Sequence, residues 1–109
     1  MHTADAPARA RILAQIHALA GFLHARPDLP VHDLATFDLC YFPGGDDEAR
    51  EAEVERIADL LQAPVVREDG HTTCEHRIGA AAYRVVAISD EARARHRALA
   101  TYAPNIRPD

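Results

Sequence analysis

Apolar side chains recur at Ile12, Ile16, Leu19 and Leu23, with Leu13, Ala20 and Phe22 widening the stripe. That spacing of three and four predicts an amphipathic helix over residues 7–24. Pro7 suits its first turn, where a missing N–H loses no partner, and Pro27 ends it. After a connector through Pro30, the segment Thr36 to Phe42 is rich in β-branched and aromatic residues and is stopped by Pro43, Gly44 and Gly45. It reads as a strand, with Phe37, Leu39 and Tyr41 on one face and Cys40 and Phe42 on the other. Only Asp38 interrupts the apolar character, so the strand is expected to be covered on both sides, or to lie near a sheet edge that a helix caps.

Asp46, Asp47 and Glu48 then meet the positive end of a second helix, whose buried stripe is Val54, Ile57, Ala58 and Leu61. Glu51, Glu53, Glu55 and Asp59 make the outer face acidic, relieved by Arg50 and Arg56, and Pro64 closes the helix. Beyond it, Asp69-Gly70 is a favoured two-residue hairpin turn. It pairs Glu68 with His71, Val66 with Thr73 and Val65 with Cys74. A second turn at Gly79-Ala80 pairs Ile78 with Ala81, His76 with Tyr83, Glu75 with Arg84 and Cys74 with Val85. This register gathers Val65, Cys74, Ile78, Tyr83, Val85 and Ala87 on one face and opposes Glu75 to Arg84 on the other. Ser89 caps a last helix with Asp90 and Glu91 in its first turn, running to about Tyr102 before Pro104. Its inner stripe is Ala92, His96, Leu99 and Tyr102 or Ala103.

The order α-β-α-β-β-β-α defines an α+β fold with three helices and a four-stranded mixed sheet that includes a β-meander. The first and second strands, joined through a helix, should run parallel. The first strand then lies beside either the second or the fourth. At 109 residues the chain is expected to be a single domain over 1–109, with loose termini at 1–6 and 104–109.

Composition narrows the function classes. Hydrophobic residues make up 48% and charged residues 27%, the balance of a chain that packs a core. No run approaches the roughly 18 to 20 apolar residues that span a bilayer, and no signal-peptide pattern opens the chain, so a cytoplasmic location is expected. A net charge of -5 argues against broad nucleic-acid coating and anionic membrane. All 12 basic residues are arginine, which reads as the codon bias of a GC-rich genome.

The densest set of potential ligands is HTTCEH, residues 71–76. On a strand, Cys74 and His76 share a face while His71 and Glu75 take the other, so the string offers a metal two donors of the four that zinc wants. Cys40 could add a third if the first strand neighbours that face. A thiol-dependent enzyme would use Cys74 beside His76, but two residues on one strand face stand roughly 7 Å apart. The chain carries no G-x-S-x-G, P-loop, H-E-x-x-H or G-x-G-x-x-G motif. No cofactor, catalytic residue or firm metal ligand is therefore assigned. The acids after Gly44-Gly45 cap their own helix and would repel a phosphate. Arg93, Arg95 and Arg97 make the last helix basic and are the one feature that favours nucleic acid. Charged helices also suit protein contacts, which makes Glu51, Glu55, Arg93, Arg95 and Arg97 the interaction candidates, whether with a partner protein or with a second copy.

The stretch FDLCYFPGGDDEAREAEVERIADLL followed by YRVVAIS resembles small uncharacterised proteins of actinobacteria and of their phages and mobile elements. The resemblance implies an accessory or host-interference role and assigns no residue a task. The reading is a small non-enzymatic interaction protein. Its alternatives are a metal- or thiol-dependent site at Cys74 and His76, and nucleic-acid binding through the last helix.

Overall fold

A computed structural model describes residues 3–95 and 97. The fold comprises three helices and a four-stranded mixed sheet in the order β1-β4-β3-β2. The chain divides into two compact units, Met1–Ala35 and Thr36–Asp109.

The first unit is built on α1, Ala6–His24. Asp5 caps it by accepting from the Ala8 N–H at 2.9 Å, and Pro7 stands in the first turn as the sequence requires. Past its end Arg26 grips Asp28 through two hydrogen bonds of 2.9 and 2.7 Å and stacks over the Phe22 ring. The helix lies where its periodicity predicts it, yet none of its residues is buried.

The second unit contains β1 (Phe37–Tyr41), α2 (Asp47–Leu61), β2 (Val66–Glu68), β3 (His71–Ile78) and β4 (Ala81–Ile88). The helical residues 90–95 and 97 form α3. Asp46 caps α2 through the Ala49 N–H at 2.8 Å, and Gln62 ends it in the left-handed region at φ 54°. Ser89 caps α3, accepting from the Ala92 N–H at 3.1 Å. Ala92 is buried as its stripe predicts, whereas His96, Leu99, Tyr102 and Ala103 lie outside the described residues.

Both turns of the meander form in the predicted register. Asp69 and Gly70 each have positive φ, 50° and 79°, which is the backbone of a type I′ turn. Glu68 pairs with His71 and Val66 with Thr73. Glu75 then faces Arg84, His76 faces Tyr83 and Cys74 faces Val85. The open choice for β1 resolves to β4, to which it runs parallel with Phe37 opposite Ala81 and Tyr41 opposite Val85.

One face of this sheet meets α2. Val54, Ile57 and Ala58 pack on Cys74, Val85 and Ala87, flanked by Tyr41, Leu61, Val65 and Tyr83. Burying these apolar surfaces supplies the main stabilisation. Of the two placements its composition suggests, β1 takes the sheet edge, and with α2 over the central strands β3 and β4, Phe37 stays 44% and Leu39 36% exposed.

Arg50 corrects the reading of α2. It belongs to the inner stripe, one turn before Val54, and is 95% buried rather than part of the outer face. Its guanidinium holds Asp90 at 2.8 Å, and it also binds Asp47 and the Gly45 carbonyl. Asp47 in turn accepts from the Asp90 N–H at 2.9 Å, so the starts of α2 and α3 are tied through one side chain. Burial opposes the Arg50 charge, but the hydrogen bonds and attraction of Asp90 and Asp47 outweigh it and raise the pKa.

Glu53 is also less free than the pattern implies. Arg56 donates to it at 2.7 and 2.9 Å, and the Tyr41 hydroxyl at 3.4 Å. The Arg56 hydrogen bonds lower the Glu53 pKa against the opposing effect of burial. A carboxylate with a depressed folded pKa adds stability above its unfolded pKa and loses it as pH falls through the folded value. Glu53→Gln should therefore lower the melting temperature by a few degrees near neutrality and leave it unchanged once both states are protonated, at about pH 2. Equal losses at both pH values would show that packing, not charge, holds Glu53.

Candidate functional site

The sheet register builds a second surface on the face away from α2. Strand alternation places Asp38, Cys40, Glu75, Arg77 and Arg84 there, and cross-strand pairing sorts them into rows. One row runs Asp38, Ala82, Arg77, and the next runs Cys40, Arg84, Glu75. These two form a shared ionic network: Arg77 lies 3.8 Å from Asp38 and 3.2 Å from Glu75, and Arg84 lies 3.9 Å from each acid. Such solvated pairs contribute little to stability, but they satisfy that end of the face.

The following row is different in kind. Thr73 pairs with Val86 on one side and with Val66 on the other, while Phe42, the residue after β1, borders the same concavity as Val86. A row thus runs across three strands through Val66, Thr73 and Val86 and ends at Phe42, just past β1, with Ile88, His71 and Glu68 forming the row beyond. Phe42 is 52% and Val66 46% exposed, whereas Val86 at the middle is buried by its neighbours. Together with Cys40, His71 and Ile88 they line a shallow concavity of about 480 Å³, edged by Glu68, Asp69 and Arg84. Exposed apolar side chains edged by polar ones are an ordinary feature of contact surfaces.

The thiols do not meet. Cys74 points into the core, where its Sγ donates to the Val54 carbonyl at 3.6 Å and burial pushes the thiol pKa up, the wrong direction for a nucleophile. Cys40 pairs with Arg84 and so lies on the opposite face, where it cannot add a third donor to Cys74 and His76. His76 is exposed, beside Tyr83 on the neighbouring strand. Among the described residues no group of three or more His, Cys, Asp or Glu side chains is placed to hold a metal ion.

The charged helices are engaged within the molecule. Arg67 reaches across from β2 to Glu51 at 3.1 Å and Glu55 at 2.8 Å, which brings these two candidates together, and the Thr72 hydroxyl donates to Glu51 at 3.0 Å. The hydrogen bonds Arg67 donates to Glu51, then to Glu55, raise its pKa. On α3, Arg95 contacts Glu91 at 3.2 Å, Arg93 is half-buried and Arg97 is exposed. Two features escape a reading of single segments: Arg50, signalled by its four-residue spacing from Val54, and the apolar row, signalled only by joining the two hairpin registers to β1.

Compared with family models, curated proteins and solved structures, the chain matches none. Among the described residues no helix is long and apolar enough to cross a membrane.

Proposed function

We propose that the protein is a small non-enzymatic interaction protein that acts in the cytoplasm by docking a partner protein on the open face of its sheet. The observation that supports this reading is the pair of half-exposed apolar residues Phe42 and Val66 at the two ends of the row through Val86 and Thr73, on the face opposite α2. The occupant that suits it is an amphipathic segment whose apolar side chains fill the concavity and whose basic flank meets Glu68 and Asp69 at its rim. The resemblance to proteins of actinobacterial phages and mobile elements fits an accessory or host-directed role. Because Glu51 and Glu55 already hold Arg67, the acidic helix serves the fold first and the partner second.

The test is affinity capture from host lysate, after nuclease treatment, with the wild-type chain and with Val66→Asp and Phe42→Ser. Both positions are about half exposed, so these variants should fold. A protein retained in near-equal amount by wild type and reduced about tenfold or more by either variant is the expected result. Equal retention by all three chains would remove the open face as the docking surface.

A further inference from the structure

The edge of the sheet carries a second surface, distinct from its open face. The Phe37 N–H donates to the Ala80 carbonyl, so Phe37, and by alternation Leu39 and Tyr41, direct their backbone groups toward β4. Asp38 and Cys40 therefore direct theirs outward from the sheet. Among the described residues no backbone hydrogen bond reaches those outward groups. No lysine, proline or bulge lies within Phe37–Tyr41, and its one charged side chain, Asp38, faces Arg77 and Arg84 of its own sheet.

We propose that β1 pairs antiparallel with β1 of a second copy, about a two-fold axis at Leu39, to make one continuous eight-stranded sheet. Three observations fix this occupant and this register. The five-residue strand is symmetric about Leu39, so every residue of Phe37–Tyr41 finds a partner. The residues that then exchange hydrogen bonds are Asp38 and Cys40, the two whose groups face outward. The register also sets no like charges directly opposite each other across the seam. A row of the joined sheet reads Glu75, Arg84, Cys40, then the partner's Asp38, the partner's Ala82 and the partner's Arg77, with no like charges adjacent. An axis at Asp38 would instead oppose two carboxylates directly.

The apolar side chains complete the argument. On the α2 face Leu39 meets the partner's Leu39, and Phe37 meets the partner's Tyr41. The exposed Phe37 and Leu39 thereby fill the space between two α2 helices, each of which reaches Tyr41 but leaves Phe37 and Leu39 exposed in a single copy. This contact uses the edge of the sheet and does not depend on docking at the open face.

The register is tested by disulfide trapping. Residues that exchange hydrogen bonds across an antiparallel pair have Cα atoms about 5.5 Å apart, within disulfide range. Asp38→Cys should therefore link covalently to the native Cys40 of a second copy under oxidised glutathione, giving a dimer on a non-reducing gel. Wild type and Asp38→Cys/Cys40→Ser should link at least about tenfold more slowly, since Cys40 and its own counterpart are diagonal neighbours. In parallel, sedimentation velocity over a concentration series should show a wild-type dimer that Leu39→Lys weakens about tenfold or more, with an unchanged circular dichroism spectrum. A wild-type chain that stays monomeric, with Asp38→Cys linking no faster than its Cys40→Ser control, would overturn the proposal. Wild type linking as fast as Asp38→Cys would overturn the axis at Leu39. Neither result bears on the capture experiment, which turns on Val66 and Phe42.

Discussion

Arg50→Ala is expected to lower the stability of the Thr36–Asp109 unit by about 2–3 kcal/mol, one of the two largest effects of any single substitution considered for this chain. The side chain is 95% buried and fills the space between the first turn of α2 and the start of α3. Truncation removes that packing and separates Asp47 and Asp90 from the cation they share. Both acids retain access to water, with side-chain exposures of 47% and 72%, so the loss falls below that of a fully buried pair broken in half. Arg50→Met separates packing from charge. The Arg50 Nε has no hydrogen-bond partner, so part of the cost of burying this cation is uncompensated in the native state. Methionine keeps most of the volume and should fall within about 1 kcal/mol of wild type. Urea denaturation with an unchanged m-value measures both variants. Alanine and methionine variants of equal stability would show that the side-chain volume at this position does not matter, and a methionine variant as unstable as alanine would place the loss in the ion pairs.

The same residue shows where sequence reasoning reaches and where it stops. The α2 stripe at Val54, Ile57, Ala58 and Leu61 is legible because helix periodicity is local, and the stripe packs as expected. Arg50 continues that spacing, but a charged side chain reads as solvent-facing until its partners are known, and Asp90 lies forty residues away. The meander is legible in full register because each turn is specified by adjacent residues, Asp69-Gly70 and Gly79-Ala80, and alternation fixes the rest. The placement of β1 beside β4 is not, because a parallel pairing carries no turn to announce it. Two conclusions about the site depend on that one missing fact. Cys40 falls on the face away from Cys74 only once β1 is registered on β4, and the same placement brings Phe42, just past β1, to the concavity that Val86 lines. Taken alone, β3 shows His71, Thr73, Glu75 and Arg77 on that face, which reads as a plain solvated surface. The row emerges from three strands and the residue after β1 at once, and no window along the chain contains it. For α1 the helix itself is legible and its lack of buried residues is not, since periodicity reports a stripe and says nothing of what covers it.

Gly70→Ala is expected to cost about 2–4 kcal/mol, from two sources that a second glycine allows to be separated. Gly70 sits at φ 79°, where an alanine Cβ is strained by about 1 kcal/mol. A Cβ there would also stand 2.7 Å from the Ala92 Cβ and 2.9 Å from the Ser89 Oγ, contacts that force the first turn of α3 away from the hairpin. Gly79, in the second turn, has φ 58° but open space around it. Gly79→Ala should therefore show the backbone strain alone, and the difference between the two variants isolates the packing of α3 on the Asp69-Gly70 turn. Amide exchange gives an independent readout. The Ser89 N–H donates to the Gly70 carbonyl at 2.8 Å, and Ala92 N–H to the Ser89 hydroxyl, so both amides should lose protection in Gly70→Ala and keep it in Gly79→Ala. Equal destabilisation by the two substitutions, with Ser89 protection unchanged, would mean that α3 does not rest on the hairpin. If the difference appears, the turn that sets the register of the meander is also the seat of the last helix. One local signal, Asp69-Gly70, would then organise both the sheet and the cap that Arg50 ties to α2.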